Sequence, residues 1–124
     1  MKRLLIVLYL VTAVVVGAIA DGLFDEGLKI WGHTLGAVEV CLLLSGAFVF
    51  DLRRRDWFAF AAAYVCLRIA GFDYVYNLVR GLPILEVGST SAWDNVISLF
   101  PPHGLVFVRS IFLVVGIFIP INEL

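Results

Sequence analysis

Five polar residues stand where the surrounding sequence is apolar. Glu39 interrupts "TLGAVEVCLLLSGAFVF" (34–50), Arg68, Asp73 and Asn77 fall between Trp57 and Val79, and Arg109 lies in "LVFVRSIFLVVGIFIPI" (105–121). In hydrocarbon an unpaired charge costs at least about 2.5–3.5 kcal/mol, so such groups turn inward and pair, or line a polar cavity. Two chemistries follow. Two carboxylates and two guanidiniums can lock helices in register, or they can hold a small anionic or polar molecule, a lipid headgroup or a quinone.

Depth suggests how they pair. At 1.5 Å per residue, Asp73 lies about 9 Å below the outer end of its stretch, Glu39 about 8 Å and Arg109 about 6 Å below theirs. Arg68 is about 7–8 Å deeper than Asp73 and points about 140° away from it at 100° per residue. These positions favour Asp73 with Arg109 and Arg68 with Glu39; the swapped pairing stays open until helix order is known. Gly71 leaves room for a bend between them.

Other residues could rim such a pocket. Asp73, Asn77 and Arg80 share a helical face, with Tyr76 beside it. His33 and His103 stand at the outer mouths of their stretches, near Trp93 and Asp94. Facing histidines could hold a haem, or a metal with Glu39 or Asp94, but neither belongs to a spaced ligand motif. Anchoring at the interface, or hydrogen bonding to a headgroup, is the simpler reading. Cys41 and Cys66 lack C-x-x-C spacing and read as buried thiols. Ser45, Ser98 and Ser110 sit in no nucleophile motif, and there is no phosphate-binding glycine loop. No catalytic residue and no metal site is expected, and no motif names a cofactor.

The elements that position these groups follow from composition. Of 124 residues 62% are hydrophobic and 15% charged, and the mean hydropathy is +1.03. A soluble domain this small needs far more polar surface. Four stretches, 4–20, 34–50, 57–79 and 105–121, suit helices crossing about 30 Å of hydrocarbon. The last is expected to stop at Pro120. The first also has the grammar of a secretory signal peptide, with "KR" before it and "AIA" after. Its length favours a retained helix.

Lys2, Arg3 and the run Arg53, Arg54, Arg55 belong on the cytoplasmic side under the positive-inside rule, so both termini are expected there. Two connections look helical in their own right. In 22–31, Phe24, Leu28 and Trp31 fall at helical spacing opposite Asp25, Glu26 and Lys29. In 91–100, Ser91 and Asp94 suggest a capping box, Trp93, Val96, Ile97 and Phe100 an apolar stripe, and Pro101 and Pro102 an end. "GHTLG" places Gly32 and Gly36 for close helix approach.

The fold expected is thus an all-α integral membrane protein, a single four-transmembrane-helix bundle with short amphipathic interfacial helices on the outer side. The inner membrane of a bacterium is its expected location. The net charge of −1 gives no basic footprint for nucleic acid. Function is expected to be non-catalytic: a subunit or assembly component of a larger membrane complex or oligomer, with membrane lipids and a protein partner or second copy around it. The alternative is a binding or transport module with a polar pocket at Glu39, Arg68, Asp73, Asn77 and Arg109.

Overall fold

Apolar runs of this length suit helices, whose backbone polar groups are bonded internally along the chain. The computed structural model describes residues 1–87, 95–96 and 98–124. Among these residues there are four long helices and no strand: α1 (Lys2–Asp25), α2 (Lys29–Val49), α3 (Asp56–Val79) and α4 (Pro102–Glu123). They run about 32–36 Å at 1.5 Å per residue. Each is long and apolar enough to cross a membrane.

One device ends the first three helices. Gly27, Asp51 and Gly81 take left-handed backbone, with φ of 88°, 48° and 64°. A leucine follows each of them, and its N–H reaches back five residues: Leu28 to Leu23 O at 2.9 Å, Leu52 to Ala47 O at 2.9 Å, and Leu82 to Asn77 O at 2.8 Å. This is the Schellman closure, which satisfies carbonyls that the last turn would leave bare. Glycine takes the left-handed position without cost at two of the three; aspartate is among the few other residues that tolerate it.

That closure removes the interfacial helix expected at 22–31. Residues 22–25 are the last turn of α1 and residues 29–31 the first turn of α2, with only Glu26, Gly27 and Leu28 between. The polar residues there bond to other helices, so the helix runs on past the apolar stretch. The second expected interfacial helix, 91–100, lies largely outside the described residues. Two further boundaries differ. Pro102 sits at the start of α4, where a missing N–H costs nothing, and Pro120 lies inside the helix rather than stopping it. There it forgoes a bond only in the last turn, and the helix continues to Glu123. Likewise α3 passes through Gly71 without a break.

The helices form a row, α2–α1–α3–α4, with closest packing between α1 and α2, α1 and α3, and α3 and α4. Ile6, Leu10 and Val14 of α1 meet Phe60, Ala63 and Leu67 of α3 in the apolar core. These positions recur every three or four residues, the spacing that keeps one helical face against a neighbour. Tyr9 ties α1 to α2, its hydroxyl donating to Leu42 O at 2.8 Å and lying 2.9 Å from Ser45 Oγ. At Gly46 a Cβ would fall 2.6 Å from the Phe60 ring, so α2 reaches the central pair only through a bare backbone. Gly32 packs similarly on Phe24, whereas Gly36 faces open space, so only half of the expected glycine pair is a contact.

Candidate functional site

Four of the five polar residues gather in two clusters, Glu39 with Arg68 and Asp73 with Arg109. The first joins α1, α2 and α3. Arg68 Nη1 lies 2.7 Å from Glu39 Oε1 and 2.9 Å from the Tyr64 hydroxyl, and Tyr64 itself donates to Glu39. Arg68 Nη2 stands 3.5 Å from Asp21 Oδ2, and the guanidinium carbon lies 4.0 Å from the Phe72 ring centre. Glu39 fits because position 17 on α1 has no side chain: a Cβ there would fall 2.1 Å from Glu39 Oε1. The cluster sets one cation against two carboxylates, with a phenol between.

The same arrangement recurs twelve residues on, at the end of the bundle formed by the α1–α2 turn. Arg80 Nη1 donates to the Tyr76 hydroxyl at 2.9 Å, as Arg68 does to Tyr64, and Tyr76 donates to Asp25. Arg80 Nε adds a bond to Glu26 Oε1 at 3.1 Å. Hydrogen bonds to Tyr76 and then Glu26 raise the Arg80 guanidinium above its already high ordinary value, so it stays charged. Asp21, Asp25 and Glu26 all sit at the C-terminal end of α1, where the helix dipole disfavours carboxylates. Arg68 of α3 and Arg80 just after it offset that.

The second cluster joins α3 and α4. Arg109 is 2% exposed and pairs with Asp73, with its guanidinium carbon 4.8 Å from the Tyr74 ring centre. Arg109 Nε and Nη1 have no hydrogen-bond acceptor among the described residues. A buried guanidinium with two such donors can take a carbonyl or anionic oxygen without first breaking a bond to a described residue.

Asn77 belongs to neither cluster. At 3% exposed, it donates to Ile84 O at 3.1 Å and Glu86 O at 2.8 Å, pinning the chain that leaves α3. The shared face of Asp73, Asn77 and Arg80 therefore serves three destinations: α4, the following loop and the end of α1. Asn77→Leu should cost about 1–3 kcal/mol, the loss of two hydrogen bonds at about 0.5–1.5 kcal/mol each. Limited proteolysis should then cut at 82–87 faster while helix content stays unchanged.

His33 lies edge-on to Phe24 at 5.1 Å, in an open groove of about 400 Å³ that it lines with Asp21 and Gly36. His103 is exposed in the first turn of α4. No described contact brings the histidines together, and no group of three His, Cys, Asp or Glu gathers among the described residues. Trp93 and Asp94 lie outside the described residues. Cys41 is exposed and Cys66 half-buried, so only the second approaches the expected burial.

Tyr64 and Asp21 are the site residues that sequence reasoning passed over. A signal was present: Tyr64–Arg68 and Tyr76–Arg80 repeat one four-residue spacing on α3, and Asp21–Asp25 do so on α1. No family model, curated protein or solved structure matches this chain. The functional reading therefore rests on these residues alone.

Proposed function

We propose that the chain is a non-catalytic component of a larger membrane assembly, built from four membrane-spanning helices. The observation that carries this is the internal pairing of charge. Glu39, Arg68, Asp73 and Arg109 each meet an opposite charge on another helix of the same chain, which is what a clamp requires.

The same reading puts the docking face on α2. This helix ends the row, and Ala37, Cys41 and Ser45 recur every fourth residue on an exposed side. Small residues at that spacing let another helix approach closely. Lys2, Arg3 and Arg53–Arg55 belong to one end of the row, which on the positive-inside rule is the cytoplasmic side of a bacterial inner membrane.

Mild-detergent purification followed by native mass spectrometry is the test. A second copy or a stoichiometric protein partner is expected, and a homogeneous monomer would overturn the proposal. A thiol-specific cross-linker at Cys41, with Cys66→Ser as background, should capture that neighbour. A cysteine at Val114 on α4 should capture far less.

A second reading has one observation in its favour, the two donors of buried Arg109 that lack an acceptor among the described residues. On that reading the α3–α4 cluster binds a small polar or anionic molecule or a quinone carbonyl. A retained small mass lost in Arg109→Lys would support it, since lysine keeps the charge but not the planar fork.

A further inference from the structure

The α2–α3 turn and the groove beside it fit together as one site. A cleft of about 520 Å³ runs between α2 and α3, lined by Leu44, Ala47 and Phe48 on one side and Trp57, Phe60 and Ala61 on the other. Its walls are apolar up to Tyr64. Phe48 and Trp57 meet at its lower end, with ring centres 6.4 Å apart, and the Trp57 indole is anchored on Leu52 O at 3.2 Å. Immediately below them lies the turn that carries Arg53, Arg54 and Arg55.

The charge at that mouth is not cancelled. Arg53 and Arg55 share one carboxylate, Asp56, at 3.2 and 3.5 Å. Asp51 is exposed in the same turn, and Arg54 is exposed and makes no ion pair among the described residues. Three guanidiniums against two carboxylates leave one positive charge at the end of an apolar cleft. A single phosphodiester with an acyl chain has the complementary form, an anion at the interface and hydrocarbon beneath it.

We propose that this cleft is a specific site for one anionic diacyl phospholipid, its phosphate at Arg54 and one acyl chain between α2 and α3. It rests on the membrane-spanning reading but not on the assembly role. The site would make α2, the least buried helix of the row, a lipid-supported element.

The test is native mass spectrometry of the full chain from bilayers of equal phosphatidylglycerol and phosphatidylcholine. One phosphatidylglycerol per chain should survive delipidation. Arg54→Gln should weaken its retention about fivefold, the effect of one basic residue beside an anionic headgroup. Ala61→Trp, which fills an exposed stretch of the cleft wall, should abolish retention with the thermal midpoint unchanged; if that variant fails to fold, Arg54→Gln decides. Equal retention of both lipids, full retention in Arg54→Gln or in folded Ala61→Trp, or a second protein chain in place of lipid would each overturn the site. A protein that is never membrane-embedded would retain neither lipid, and that outcome would sink the membrane reading as well.

Discussion

Asp73→Leu alone is expected to destabilise the protein by about 3–5 kcal/mol, because it strands a buried guanidinium without its counter-charge. Arg109 is 2% exposed and cannot recover hydration by a small rotation. Asp73→Leu combined with Arg109→Leu should recover most of the loss, since well-packed apolar side chains often match a buried ion pair. Denaturant titration in a fixed detergent, following helix content, measures all three variants against the parent. The double variant also separates the two functional readings. If it is stable and still assembles, the pair is a clamp. If it is stable, assembles and has lost a bound small molecule, the pair belongs to a pocket. A double variant no more stable than Asp73→Leu would show that the loss comes from packing rather than from stranded charge.

Gly17→Ala should have the next largest effect, although it adds one methyl group. The Cβ would occupy the place of the Glu39 carboxylate, which lies within 2.5 Å of it. Glutamate can swing away, but then it leaves both Arg68 and Tyr64, the partners it has on α3. The cost is therefore that of a broken and partly buried pair, about 3 kcal/mol, rather than that of a methyl group. Gly17→Ala with Glu39→Gln should lose little more than Glu39→Gln alone, because the second change has already given up the charge. Such non-additivity is the signature of two residues acting through one contact. Additive losses would place the damage in the α1–α2 backbone approach instead.

How far the sequence could be read depended on the kind of signal. The four helices were legible because each carries an uninterrupted apolar run, and hydropathy alone marks it. Their ends were not. Asp25, Glu26 and Lys29 look like the polar face of a surface helix, whereas in the fold Asp25 and Glu26 face Arg80 at the end of α3, and Asp21 before them faces Arg68. Only helix order reveals that α3 stands beside α1. The closures at Gly27, Asp51 and Gly81 were within reach, because each precedes a leucine, but two-residue signals are weak amid so many leucines. Depth arithmetic put Asp73 within range of Arg109 and Arg68 within range of Glu39; it could not show that these form separate clusters. Asn77 was grouped with Asp73 by helical spacing alone, and the loop that engages it is invisible to periodicity.

The row α2–α1–α3–α4 is two antiparallel hairpins meeting along α1 and α3, and this divides the ion pairs by when they can form. Asp73–Arg109 lies within the second hairpin; on the membrane-spanning reading it can be made as α4 enters the bilayer beside α3, and it carries an arginine in with its charge already matched. Arg68–Glu39 and Arg80–Glu26 cross the seam between hairpins, so neither exists until the halves have met. Before that, on the same reading, Glu39 in the first hairpin and Arg68 in the second would each face lipid without the other. An unjoined half would thus carry a visible mark of incompleteness, of the kind by which quality control in a membrane distinguishes an orphan from a finished protein.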